Sequence, residues 1–161
     1  MLFRTHVTFT IFVTLLIMHY YNVNNQLWFF SIAILTTAMV DIDTPLSKVG
    51  SKTKLLSLVT NVILNHRGVL HSITLPLTIY LILSVFGLSA SVGVPFLVGY
   101  ISHLILDAFT VRGIMPFFPI KKRINGFIKT GSLFETTLLV ALILLIFLYF
   151  VFRNENITSI F

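Results

Sequence analysis

Val92–Val111 reads VGVPFLVGYISHLILDAFTV, and two of its letters decide how the whole chain is understood. At ~1.5 Å of rise per residue the stretch is long enough to cross a hydrocarbon core of ~30 Å as one helix. His103 and Asp107 stand inside it. An aspartate within a membrane helix costs roughly 2.5–3.5 kcal/mol on insertion scales, and such residues persist mainly where they serve a function. Four positions apart, the two side chains share one helix face and can act on one ligand.

The rest of the chain has the same character. Of 161 residues, 57% are apolar and 10% charged, and mean hydropathy is +0.99. An average soluble domain is about 25% charged, so this composition excludes a soluble domain. It excludes a disordered or fibrous chain equally, since those classes need the opposite balance. The absence of cysteine excludes disulfides, thiolate metal sites and thiol nucleophiles. Four more apolar segments flank the first: Val7–Tyr21, Leu27–Val40, Ser72–Leu88 and Leu133–Phe152. The expectation is an all-α, polytopic membrane helix bundle of five membrane segments forming one domain over 1–161. The first two segments are short. They read either as tilted spans in a thinned bilayer or as a hairpin that dips in and returns; both leave the chain on the same side after Val40. Arg4 before an apolar run resembles a signal peptide, but no small-x-small cleavage site follows, and retention as an anchor is expected.

Basic residues set the orientation. The connections Asn22–Gln26 and Ser89–Ser91 carry none, whereas Lys48, Lys52, Lys54 and Arg67, then Arg112, Lys121, Lys122, Arg123 and Lys129, fall in the other two. Arg4 joins them, which leaves Arg153 as the exception among eleven. The positive-inside rule makes that side cytoplasmic, with the N-terminus in and the C-terminus out. The net charge of +6 therefore points to orientation and anionic lipid, not to nucleic acid, and no groove-reading motif accompanies it. Within the loop 44–65, Lys54–Leu64 reads as a helix lying in the interface. Arg112–Ser132 mixes phenylalanines with cations and is expected to hug the lipid surface.

Most acids and imidazoles fall at the cytoplasmic ends of these segments. His6 opens the first, Asp41 and Asp43 close the second, His66 and His71 lead into the third, His103 and Asp107 end the fourth, and Glu135 opens the fifth. Two carboxylates at a helix C-terminus oppose the helix dipole, and a bound cation would remove that penalty. In His66-Arg67-Gly68-Val69-Leu70-His71 the glycine permits a turn that aims both rings inward. Glu135, after Gly131-Ser132, reads equally as an acid favoured by its own helix N-terminus. A sulfur-free imidazole and carboxylate set suits Zn²⁺, Mn²⁺ or Fe²⁺ better than Mg²⁺ or Ca²⁺. His6, Asp41, Asp43, His66, His71, His103 and Asp107 are the candidate ligands. They offer more donors than one tetrahedral ion takes, which suggests two or more ions.

On these residues the chain resembles the YdjM-type family of inner-membrane, metal-dependent hydrolases. The shared elements are His6, Asp41-Ile42-Asp43-Thr44-Pro45-Leu46-Ser47 with Gly50, His66-Arg67-Gly68-x-x-His71-Ser72, and Gly99-Tyr100-x-Ser102-His103-x-x-x-Asp107, followed by Thr110, Gly113, Pro119 and Glu135. Leu70 departs from the family's usual threonine. The resemblance implies an inner-membrane hydrolase and supplies no substrate; the orientation above turns the site toward the cytoplasm, and the residues themselves suggest the chemistry. Metal-activated water would attack a lipid-linked phosphate ester, such as a phospholipid or isoprenoid phosphate. Asp43 or Glu135 would be general base, and Arg67 would hold phosphate oxygens in bidentate fashion. Ser72, Ser102 and Thr44 would support the ligands. Membrane lipids and a lipid-like substrate are the expected partners. The alternative is a cation transporter or metal sensor without hydrolytic activity. Transport sites, however, tend to lie near the midplane on broken helices, whereas these candidates gather at one leaflet.

Overall fold

A computed structural model of the chain describes residues 1–40, 69–87, 89–120 and 122–158, with side chains as far as Arg153. Asp41, Asp43, His66, Arg67, Lys121 and the interfacial helix expected within 44–65 lie outside the described residues. Among the described residues five helices appear in order: α1 (Phe3–Tyr20), α2 (Gln26–Val40), α3 (Thr74–Val85), α4 (Ala90–Ala108) and α5 (Leu133–Thr158). Among the described residues there is no strand; the 109–132 connection contains two isolated bridges, Thr110 with Ile128 and Ile114 with Ile124.

Local chemistry sets the helix ends. α1 begins at Phe3, ahead of the apolar run, so His6 lies a full turn inside it rather than at its mouth. The Trp28 N–H donates to Asn25 Oδ1 at 3.0 Å, a side-chain cap on the start of α2. α3 stops where Gly87 takes φ 87°, a conformation that glycine adopts without penalty. It is therefore shorter than the expected Ser72–Leu88 segment, at 12 residues. Ser89 caps α4 by accepting the Ser91 N–H. At the other end the Thr110 hydroxyl donates to the Asp107 carbonyl at 2.7 Å, satisfying one of the terminal acceptors.

Among the described residues two helices are long and apolar enough to cross a membrane, Ala90–Ala108 and Leu133–Arg153. They correspond to Val92–Val111 and Leu133–Phe152, the two of the five expected membrane segments that sequence reading found long enough; the other three do not meet that length and composition. α2 and α3 are 15 and 12 residues long, too short for an untilted crossing. α1 has the length, 18 residues, but Arg4, His6, His19 and its threonines dilute its apolar character. α5 turns most of its side chains outward, with Leu133, Phe134, Ile143, Leu144 and Phe147 all more than half exposed. An unbroken apolar face of this extent suits acyl chains, not water.

Packing places one end of the bundle under tight control. The largest helix contact is between α2 and α4. It depends on Gly99: a Cβ built there would lie 2.2 Å from the Ala33 carbonyl oxygen, and small residues allow membrane helices this close an approach. Beside it, the Thr37 hydroxyl lies 3.0 Å from both the Ala33 and Gly99 carbonyls and 2.8 Å from the Thr10 hydroxyl of α1. These polar contacts lock α1, α2 and α4 together where hydrophobic burial gives little discrimination between helix and lipid. The 109–132 connection then closes over the same end. Ile73 N–H donates to the Pro116 carbonyl at 2.8 Å and the Thr74 hydroxyl to the Phe118 carbonyl at 2.9 Å.

Candidate metal centre

Asp107 is the point on which separate parts of the chain converge. It sits 3% exposed in the last turn of α4. His6 Nε2 of α1 lies 3.3 Å from Oδ1, His71 Nε2 lies 3.4 Å from Oδ2, and His103 Nε2 lies 3.6 Å from Oδ2. All three imidazoles are at most 1% exposed. Metal–ligand bonds of ~2.1 Å at tetrahedral angles separate ligand atoms by about 3.4 Å, and these three spacings bracket that value. Ligand atoms of His6, His103 and Asp107 all fall within 4.8 Å of one another. The Met1 nitrogen also lies 2.8 Å from Oδ1.

Each ring is held by its surroundings. His103 Nδ1 lies 3.2 Å from the Thr37 carbonyl oxygen. A carbonyl can only accept, so Nδ1–H donates to it, which leaves Nε2 as the nitrogen that faces Asp107. This is the supporting bond that metal-ligating histidines usually make. His6 stacks on His103 with centroids 3.9 Å apart and planes 6° from parallel, which brings both Nε2 atoms to the same carboxylate. His71 stands edge-on to His103, centroids 5.7 Å apart. Its loop is pinned by the Tyr100 hydroxyl donating to the Leu70 carbonyl and by Ser72, whose hydroxyl donates to the Val69 carbonyl at 2.6 Å.

The donor set fits a divalent cation. Neither ring nitrogen of His6 makes a well-directed hydrogen bond among the described residues, although both are buried. A buried polar group left in that state costs about 1–3 kcal/mol; coordination by Nε2 would satisfy it. Zinc at ~100 times its dissociation constant should therefore stabilise the protein by about 2.7 kcal/mol. The check is thermal unfolding in detergent followed through Trp28, the sole tryptophan. An unchanged midpoint with zinc, manganese and iron(II) would contradict the fit.

Four of the sequence-derived candidates thus come together: His6, His71, His103 and Asp107. Glu135 lies beside them, bonded to Leu2 and Thr5 at the start of α1. The Ser72 hydroxyl is spent on the Val69 carbonyl and Thr74 instead of on a ligand. His19 is exposed at the far end of α1, its ring 5.8 Å from that of Tyr149. Sequence reading missed Thr37, whose carbonyl orients His103, and the hydroxyls of Thr5, Thr10 and Thr14, all 0% exposed. The spacing of His6, Thr10 and Thr14 at four-residue steps was the available signal, since it marks one inward polar face.

A family model described as "YdjM inner membrane protein" matches residues 1–160, nearly the whole chain. The chain is also 38% identical over 106 residues to a Bacillus subtilis (strain 168) protein described as "Uncharacterized protein YvsG". That match covers 65% of this chain and 66% of the relative, just under two thirds of its length. No solved structure matches the chain.

Proposed function

Since the chain belongs to the YdjM inner membrane protein family, we propose that it is a membrane-bound, metal-dependent hydrolase acting on a lipid-linked phosphate ester at the cytoplasmic leaflet. The observation that carries this reading is the convergence of three buried imidazoles from α1, α4 and the segment before α3 on one buried carboxylate. Such a set has no need to exist for packing alone in a largely apolar bundle. His6, His71, His103 and Asp107 would hold zinc or manganese. Asp41, Asp43 and His66 would add the donors for a second ion. When bound, the metal acidifies a water and stabilises charge that develops on phosphoryl oxygens.

The chain's own residues supply the rest. Asp107 offers Oδ1 toward His6 and Oδ2 toward His71 and His103, so both of its oxygens would be available to hold the cation. Thr37 fixes the face that His103 presents. Asp43 and Arg67, outside the described residues, would take the nucleophile's proton and hold the phosphate oxygens. The 109–132 connection exposes Phe117, Ile120 and Phe127 beside Arg112, Lys122, Arg123 and Lys129. That mixture favours an anionic bilayer face, from which the substrate enters laterally. The functional experiment is metal analysis of detergent-purified protein, then a phosphate-release screen across phospholipids and isoprenoid phosphates. Metal-dependent release from one lipid class supports the reading. Bound metal without turnover across the panel overturns hydrolysis and leaves a sensor or transporter.

Five membrane segments with the N-terminus inside complete the proposal, and the cysteine-free chain makes this simple to test. Asn24→Cys should react with an impermeant maleimide on spheroplasts, and Arg123→Cys only after permeabilisation. The reverse pattern contradicts the orientation. An Asn24→Cys protein labelled from neither side indicates a re-entrant α1–α2 hairpin.

A further inference from the structure

Glu135 is buried to 1% exposure in the first turn of α5, and both its oxygens are occupied. Oε1 accepts the Leu2 N–H at 2.5 Å and the Thr5 hydroxyl at 3.0 Å; Oε2 accepts the Gly131 N–H at 2.6 Å. The Gly131 contact and the Ser132 hydroxyl beneath the Glu135 N–H, at 3.4 Å, resemble the capping box of an ordinary helix start. The Leu2 and Thr5 contacts do not. They reach the beginning of another helix, more than a hundred residues earlier in the chain.

α1 needs such a contact. Its own cap residue is Leu2, which makes no side-chain bond, and its first turn holds no acid. The first N–H groups of a helix lack intrahelical acceptors, and inside a membrane no solvent replaces them. A carboxylate at that end also meets the positive pole of the helix dipole. Glu135 supplies both the acceptor and the charge from across the bundle. His6 follows Thr5 directly and is stacked on His103, so the placement of the α1 start sets the placement of this imidazole.

We propose that Glu135 is a positioning residue, a cap supplied in trans that holds the start of α1 and thereby seats His6 in the metal centre. This rests on the metal-centre reading above and replaces the general-base role that sequence alone allowed for Glu135. The role requires hydrogen-bond acceptance, not proton transfer. Its strength should therefore follow the number of acceptors kept.

The test uses the full chain in detergent or nanodiscs, with Co²⁺ as the probe for affinity and for its visible ligand-field spectrum. Glu135→Ala should weaken Co²⁺ binding about 10–100-fold, the range for losing a group that orients a ligand, and should change the spectrum as His6 is lost from the coordination set. Glu135→Gln keeps one acceptor for Leu2 and Thr5 and should recover most of that affinity. Thr5→Val, a milder change, should weaken binding a few-fold. It should have little further effect in the Glu135→Ala background, because the two groups act through one contact. Wild-type affinity and spectrum in all three variants would overturn the positioning role while leaving the metal centre intact. So would turnover lost equally in the Gln and Ala proteins with Co²⁺ binding unchanged, which is the signature of a general base. Failure of the wild-type protein to bind Co²⁺ would overturn both readings.

Discussion

Replacing Asp107 with alanine should remove bound metal and phosphate release together. Both oxygens of this carboxylate face imidazole nitrogens, at 3.3 Å on one side and 3.4 and 3.6 Å on the other, so one group meets all three rings. Outer partners of metal ligands typically account for 10–100-fold in affinity. A carboxylate at the centre of the set should exceed that, with at least about 100-fold weaker binding expected. Asp107→Asn separates charge from shape. It preserves volume and one carbonyl acceptor but removes the negative charge, and should lose nearly as much. Helical circular dichroism and elution profile should stay unchanged in both proteins, since the helix itself does not depend on the carboxylate. The decisive comparison is metal stoichiometry beside the zinc-induced shift in melting. Loss of activity with full metal content would place Asp107 in chemistry instead of coordination.

Gly99→Ala is expected to have the second largest effect, and by a different physical route. Helix propensity alone would favour alanine by roughly 1 kcal/mol. The new Cβ, however, would stand 2.2 Å from the Ala33 carbonyl oxygen, and backbone cannot rotate away as a side chain can. Overpacking of this kind costs about 1–3 kcal/mol, so the clash outweighs the propensity gain and α2 must move off α4. That displacement carries Thr37 with it, and Thr37 holds both the Thr10 hydroxyl and the His103 ring. Stability and metal affinity should therefore fall together, although Gly99 is not itself a candidate ligand. Unfolding followed through Trp28, with zinc affinity measured on the same preparation, checks the coupling. A stable Gly99→Ala protein that binds zinc normally would contradict the packing described for this contact.

How much was legible beforehand differs between levels, for physical reasons. Membrane character follows from composition, which any membrane helix bundle must satisfy, and α4 follows from a single uninterrupted run. His103 and Asp107 stood out because ionisable groups are so unfavourable inside that run. Helix ends were less legible: α1 absorbs Arg4 and His6, and Gly87 cuts α3 short, effects of capping and glycine geometry that hydropathy does not register. The support around the ligands was hidden altogether. Thr37 acts through its backbone carbonyl, and any residue at that position carries one. Glu135 reads as an acid at its own helix start, and its bonds to Leu2 and Thr5 exist only once α1 and α5 are adjacent in space. The repeated polar step His6, Thr10, Thr14 marks an inward face that sequence reading passed over, and it does not name the helix that face meets.

X-ray absorption at the zinc edge of the loaded, purified protein tests the central claim most directly. The account predicts nitrogen and oxygen neighbours at about 2.0–2.1 Å and multiple-scattering features from at least three imidazoles. One imidazole should disappear in His6→Ala, and the site should fail to load in Asp107→Ala. A first shell without imidazole scattering, or a spectrum indifferent to both substitutions, would mean that these buried side chains do not form a metal centre.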